Sequence, residues 1–167
     1  MEANTDIYAE FIISTVERIK ETCPHPLVMV EERLDYSYLV PSGFGTGDCV
    51  IIADGTLYVM DYKNGKGVFV NCDHNPQMML YALGAYHAYG YLYSIKKVSM
   101  TIIQPRLENI STFECSVEEL LDWAETMSDR GRSWPLKEKV SRFPETGAGS
   151  AVPELPVKPV PMKLWLW

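Results

Sequence analysis

Apolar residues recur at Ile7, Phe11, Ile12, Val16 and Ile19, while Glu10, Glu17, Arg18 and Lys20 fill the other faces. That period predicts an amphipathic helix over residues 5–22. Cys23-Pro24-His25-Pro26 stops it, because a residue before proline is pushed out of the helical region. A strand is predicted over Leu27–Leu39, with Val28 and Val30 at its start and charges alternating afterwards, and Pro41–Gly47 reads as a glycine-rich turn. Two strands, Asp48–Ala53 and Thr56–Lys63, flank Asp54-Gly55, a two-residue hairpin signal that makes them antiparallel neighbours. Asn64-Gly65-Lys66-Gly67 forms the next turn, ahead of the short apolar piece Val68–Val70. Asn75-Pro76 supplies an N-cap and a proline at the first helical position, predicting a helix from Pro76 to about Tyr89. Val98–Gln104 reads as a strand, and Ser116-Val117-Glu118-Glu119 has capping-box spacing ahead of a helix to about Met127. The predicted order is helix, three strands, helix, strand, helix.

The pattern changes from Gly131 onward, where six prolines and Gly147-Ala148-Gly149-Ser150 replace periodic segments. The expected division is a domain over 1–130 and a proline-rich, extended or disordered tail over 131–167, whose Leu164-Trp165-Leu166-Trp167 end can dock on the body or on a partner. A length of 167 residues with 47% hydrophobic content fits one α/β or α+β domain with a real core. No apolar run approaches the roughly 20 residues needed to cross a bilayer, and Met1–Asp6 lacks a basic secretory start, so a soluble, cytoplasmic protein with no membrane partner is expected. The four cysteines, Cys23, Cys49, Cys72 and Cys115, never form a Cys-x-x-Cys pair and read as reduced, mostly buried thiols. Charge is uneven. Residues 130–167 carry a net +4 within the overall −7, which leaves −11 on residues 1–129. Tight non-specific DNA binding by that acidic body is not expected, since such affinity comes from Lys and Arg on phosphates, and acidic residues that hold metal are one reason for the imbalance.

The chemistry-bearing residues lie around the hairpin. Side chains alternate along a strand, so Asp61 and Lys63 share a face. Counting outward from Asp54-Gly55, Ala53 faces Thr56 and Asp48 falls opposite Asp61. Two converging carboxylates with open positions suit Mg²⁺, which takes one or two protein carboxylates plus water and phosphate oxygens. Lys63 beside them is placed to orient an attacking water and to stabilise charge developing on a phosphate. The competing reading of Asp61-x-Lys63 is a strand-edge ion pair on a solvated face. Gln77 and Tyr81 lie one turn apart on the following helix and can face the same site, or can be a surface glutamine beside a core aromatic.

Taken in order, Gly45-Thr-Gly-Asp48, Asp61-Tyr-Lys63 and Gln77-Met-Met-Leu-Tyr81 resemble the RecB-like branch of the PD-(D/E)XK nucleases. The longer stretches Gly43–Asp48, Asp61–Gly67 and Asn75–Gly84 resemble a phage-encoded RecB-like group of unknown function, and the likeness covers roughly residues 27–128. It implies a restriction-endonuclease-like core, a mixed sheet of about four to five strands flanked by helices. It implies Asp48 and Asp61 as ligands of Mg²⁺ or Mn²⁺, with the Tyr62 carbonyl as a third. Lys63 is then the catalytic lysine, with Gln77 and Tyr81 positioning substrate or supporting the metal. The activity implied is a metal-dependent DNA nuclease, an exonuclease of phage or mobile-element recombination or repair, with DNA as partner and a homo-oligomer or a phage recombination protein as a further one.

The chain departs from that pattern at both ends. Relatives carry an upstream Glu or His on a helix; here the candidates are Glu10 and Glu17, neither in a matching motif and otherwise solvated helix charges, while Glu31 and Glu32 read as strand-surface residues, with one reaching the metal as the alternative. The cysteines that hold an iron–sulfur cluster in many relatives are not matched, so no cluster is expected. The alternative function is a truncated, inactive nuclease-fold module that binds DNA or protein, and a third reading is an unrelated α/β domain with a chance Asp-x-Lys. His74 lies in the loop before Asn75, within reach of the site, His25 stands apart, and His87 reads as a partly buried helix residue. Lys66 reads as a solvated turn lysine, with a phosphate contact as its functional alternative. Tyr81, Tyr86, Tyr89, Tyr91 and Tyr93 read as core and rim, with base stacking as their functional alternative.

Overall fold

The computed structural model describes residues 2–65 and 67–131; Met1, Lys66 and residues 132–167, all but the first residue of the predicted tail, lie outside the described residues. The apolar stripe of the first helix, α1 (Glu2–Lys20), continues until the backbone reaches the Pro24–Pro26 break. Then follow β1 (Leu27–Asp35), β2 (Phe44–Ala53), β3 (Thr56–Tyr62), α2 (Pro76–Tyr89), β4 (Lys97–Gln104), a single 3₁₀ turn (Pro105–Leu107), β5 (Asn109–Ser116) and α3 (Val117–Gly131). The strands form one mixed sheet in the order β1-β2-β3-β4-β5, antiparallel throughout except for the parallel pair β3 and β4. A parallel neighbour needs a crossover, and α2 supplies it. This is an α+β fold of five mixed strands flanked by helices, as expected.

Two apolar clusters hold the three layers together. Leu34, Val50, Ile52, Leu57, Val59, Met100 and Ile102 pack against Met78, Leu83 and Ala85 of α2 and Leu120 and Ala124 of α3. On the opposite face of the sheet, Cys49, Ile51, Ala53 and Met60 pack against Ile19 of α1, with Phe11, Ile12 and Val16 beside it. All four cysteines are free, and Cys49, Cys72 and Cys115 are buried. Burial pushes each of those three thiols up to about 11, so they stay protonated at neutral pH. No helix among the described residues is long and apolar enough to cross a membrane.

Two strand boundaries and one missed strand separate the structure from the expectation most clearly. The first strand ends at Asp35 because its Oδ1 accepts from the Ser37 N–H (2.8 Å), starting a turn that carries Tyr36–Val40 away from the sheet. The predicted turn at Pro41–Gly47 is half strand, since β2 begins at Phe44 and uses Gly45 and Gly47 where side chains from α2 and β1 come close. The strand β5 has no counterpart among the predicted elements. Asn-Ile-Ser-Thr-Phe-Glu-Cys-Ser is mostly polar because β5 is an edge strand exposed over much of its length, so it carries too little apolar alternation to be read from pattern alone.

The capping box forms: Glu119 N–H donates to Ser116 Oγ (3.1 Å), and Ser116 N–H donates to Glu119 Oε2 (2.7 Å). Ser116→Ala is expected to destabilise the domain by about 1 kcal/mol, read as a lower urea midpoint at unchanged m-value. An unchanged midpoint would mean that α3 is held by its buried Val117, Leu120 and Ala124 alone.

Candidate metal centre

The hairpin register places the two aspartates. Ala53 pairs with Thr56 and the ladder runs out to Cys49 opposite Met60. One further step puts Asp48 opposite Asp61. There the ladder is replaced by a side chain, as Tyr62 N–H donates to Asp48 Oδ2 (2.6 Å). In an extended strand a residue's N–H and C=O leave on the same side, so the Tyr62 carbonyl also faces β2 and Asp48.

Asp61 and Lys63 share the α2 face, as alternation requires. Lys63 Nζ lies 2.9 Å from Asp61 Oδ2 and donates to Gln77 Oε1 (2.7 Å), and Gln77 Nε2 donates to the Tyr81 hydroxyl (3.0 Å). Asp61, Lys63, Gln77 and Tyr81 thus form one polar line from β3 to the first turns of α2. The helix is aimed there by its cap: Asn75 Oδ1 accepts from the N–H groups of Gln77 (3.1 Å) and Met78 (3.3 Å), with Pro76 at the first position. The Lys63 N–H donates to Ile103 O (2.9 Å), which keeps the residue beyond β3 alongside β4.

Burial sets the electrostatics. Asp61 is only 5% exposed, and desolvation raises its carboxyl above the usual carboxylate range despite the opposing pull of Lys63. Asp48 is raised too, first by burial and further by Asp61 and Glu31, while the Tyr62 N–H and Lys63 pull it down. Tyr81 is raised by burial and by both aspartates, with the Gln77 bond opposing.

The residues fit a hard divalent cation. Two like-charged carboxylates, Asp61 buried and Asp48 half-buried, face each other, and Asp61 Oδ2 meets Lys63 as an ion pair but has no aligned hydrogen bond, so a lone pair remains for another positive partner. Among the described residues no group of three or more His, Cys, Asp or Glu side chains gathers around one point, so this donor set is two carboxylates and a backbone carbonyl. Binding requires both carboxylates ionised. Because both are raised, Mg²⁺ affinity is expected to fall as pH drops through values above the ordinary 3.8, earlier than for a solvated carboxylate pair. Calorimetric titration of Mg²⁺ at a series of pH values checks this; a flat profile down to about pH 4, the usual aspartate range, would place the ion elsewhere.

The other candidates are not drawn in. Glu10 and Glu17 are exposed on α1, the helix on the opposite side of the sheet from α2. Glu32 instead accepts from the Tyr89 hydroxyl (2.6 Å). His74 pairs with Asp73 (2.6 Å) and packs its ring on Phe113, 4.5 Å between centroids. His87 is exposed rather than partly buried and stacks on Tyr38 at 4.3 Å. Tyr91 and Tyr93 are exposed, and Tyr86 and Tyr89 are half-buried against the core.

Two further residues come to this end of the sheet: Glu31, one of the strand-surface candidates, and Tyr8, which the sequence did not single out. Glu31 sits between the pairs Val30–Cys49 and Glu32–Gly47, directly across from Asp48, and its backbone is left-handed (φ 54°). That conformation is uncommon for a residue with a Cβ, and it makes β1 turn over there. Both Met29 and Leu34 consequently reach the α2 side of the sheet. Tyr8 of α1 rests against Tyr62, 5.0 Å between ring centroids, with its buried hydroxyl close enough to Asp48 to feel that charge. Neither stands in a recognisable motif, and only the fold brings them to this end of the sheet.

A family model described as "Protein of unknown function (DUF2800)" matches residues 1–138. The solved structure titled "Crystal structure of SSO0001" aligns at 13% identity over 78% of this chain and 62% of that one, with a TM-score of 0.30. The chain thus spans under two thirds of that protein's length, and a likeness so slight carries nothing about chemistry.

Proposed function

The chain belongs to this family of unknown function, DUF2800, and we propose that it is a Mg²⁺-dependent deoxyribonuclease, an exonuclease related to the RecB-like PD-(D/E)XK enzymes. The observation that carries the reading is the continuous polar line Asp61–Lys63–Gln77–Tyr81 with Asp48 tied to the next strand at Tyr62. Asp48, Asp61 and the Tyr62 carbonyl would hold Mg²⁺, which when bound supplies Lewis acidity at a phosphoryl oxygen and lowers the pKa of a coordinated water.

The chain's own groups do the rest. Lys63 donates one proton to Gln77 and pairs by charge with Asp61, so its ammonium keeps protons for the attacking water or a phosphate oxygen. Gln77 fixes the ammonium in place, and the Tyr81 hydroxyl fixes Gln77. Charge building on the phosphate as the water oxygen bonds to phosphorus and the leaving oxygen departs is met by a cation already oriented, so little reorganisation is required. Phage or mobile-element recombination or repair is the setting this activity suits.

Linear and circular DNA incubated with Mg²⁺ or Mn²⁺, beside the Asp61→Asn variant, test the proposal. Loss of linear DNA alone, and only with wild type, is the expected result. Equal degradation by both proteins would remove the proposed centre. If neither folded protein degrades DNA, the inactive binding-module reading replaces it, favoured then by the two-carboxylate donor set.

A further inference from the structure

We propose that Phe69 is a stacking platform for an unpaired nucleobase of the substrate, presented at the same end of the sheet as the metal centre. This rests on the nuclease reading for its substrate class. Phe69 and its neighbour Val68 are 66% and 67% exposed, two large apolar side chains in succession with their surface turned to water. Such a pair on a surface loop would ordinarily fold inward, since covering an apolar side chain is favourable. Here the backbone is pinned so that it does not.

The pin is two amides. Gln104, 2% exposed, accepts from the Val70 N–H through Oε1 (2.8 Å) and donates from Nε2 to the Val68 carbonyl (3.0 Å). Asn109, 5% exposed, donates from Nδ2 to the Val70 carbonyl (2.9 Å) and to Gln104 Oε1 (2.8 Å). Burying two amides is costly unless they are paired. Their pairing is spent on residues 68 and 70, so the residue between them is presented outward on a fixed base.

The position is equally specific. Gln104 ends β4, and the preceding Ile103 carbonyl accepts from the Lys63 N–H (2.9 Å). Phe69 and Lys63 are therefore both tied to the same end of β4. The charge distribution bears on how such an occupant is held. With a net charge of −11 over residues 1–129, the body has little with which to grip a phosphate backbone. Stacking gives affinity without cations and without regard to sequence, because every base has a π-face. A strand end with an exposed base is the chemistry this surface fits, rather than a continuous duplex, whose bases are already stacked.

The test uses the full chain in Ca²⁺, with fluorescence anisotropy of a short labelled single-stranded oligothymidylate and of its abasic counterpart. Wild type is expected to prefer the base-bearing strand. Phe69→Ala is expected to bind that strand about tenfold more weakly or worse and to lose the preference, with an unchanged salt slope because no phosphate contact is removed. Phe69→Trp should keep the preference and show indole quenching, beyond any wild-type change, on binding. Phe69→Ala binding as tightly as wild type, or wild type failing to distinguish the abasic strand, would overturn the platform. Hydrolysis of bis(p-nitrophenyl) phosphate by wild type and Asp61→Asn reads the metal centre separately. If Asp61→Asn hydrolyses it as wild type does while the Phe69 series behaves as expected, the nuclease reading fails and the platform stands.

Discussion

Asp61→Asn is expected to lower Mg²⁺-dependent DNA hydrolysis by about 10³-fold or more, the scale of losing one preorganised charge-stabilising group, while leaving the metal-free fold no less stable than wild type. Asp61 is 95% buried, and its ionised form is held in a low-dielectric setting that Lys63 only partly offsets. The sign follows from the raised carboxyl. A folded-state pKa above the unfolded value means that the folded protein binds this proton more tightly. The stability contributed by binding that proton is therefore lost as pH rises from the unfolded value through the folded one. Asparagine keeps the shape and removes that charge, while Lys63 retains Gln77 and its own partial exposure of 21%.

Thermal unfolding in EDTA should thus show the variant at or above the wild-type midpoint at neutral pH, with the difference shrinking toward acid. Adding Mg²⁺ should raise the wild-type midpoint through binding to the native state, and the variant's much less. If the variant is instead clearly less stable in EDTA, the Lys63–Asp61 pair is a structural bridge and the carboxylate owes its place to folding. If its hydrolysis is unimpaired, Asp61 is no ligand.

Gly45→Val is expected to destabilise the domain by about 1–3 kcal/mol and to remove activity together with it. A Cβ on Gly45 would sit against Tyr81 Cε1, with Cζ at 2.9 Å and the hydroxyl at 3.0 Å, so the ring must leave β2. Displacing it breaks the Gln77–Tyr81 bond, and Gln77 is what holds Lys63. Gly65→Ala is the control, because a Cβ there meets nothing within 4 Å. Circular dichroism melts and the DNA assay read both effects; a Gly45→Val protein with wild-type midpoint and rate would show that Tyr81 need not lie over β2. The glycine of Gly45-x-x-Asp48 is thereby explained by clearance for an aromatic on another element, although the spacing alone resembles a turn.

Much of this arrangement was legible in the chain because local rules govern it. Asp54-Gly55 specifies a two-residue turn, which fixes the register and so the opposition of Asp48 and Asp61; observed pairing from Ala53–Thr56 to Cys49–Met60 follows that count. Asn75-Pro76 sets the start of α2 at Pro76, and the i, i+4 spacing of Gln77 and Tyr81 puts them on one face. Ser116 and Glu119 cap α3 for the same local reason. What was not legible depends on residues far apart in sequence. β5 is a strand only because β4 offers it a ladder, since its own polar composition signals no element. Glu31 reaches Asp48 through a left-handed residue that no nearby glycine or turn announces. His74 and His87 are drawn to Phe113 and Tyr38 by ring contacts.

By itself, then, the sequence determined the hairpin register, the helix caps and the shared faces of Asp61 with Lys63 and of Gln77 with Tyr81, because turn chemistry and side-chain periodicity act over a few residues. Only the tertiary structure decided that those faces meet: the crossover through α2 lays Gln77 against Lys63, burial raises both aspartates, and Gln104 and Asn109 hold Phe69 outward. Those outcomes come from desolvation and from pairing of buried polar groups between distant segments, and neither has a local sequence signature.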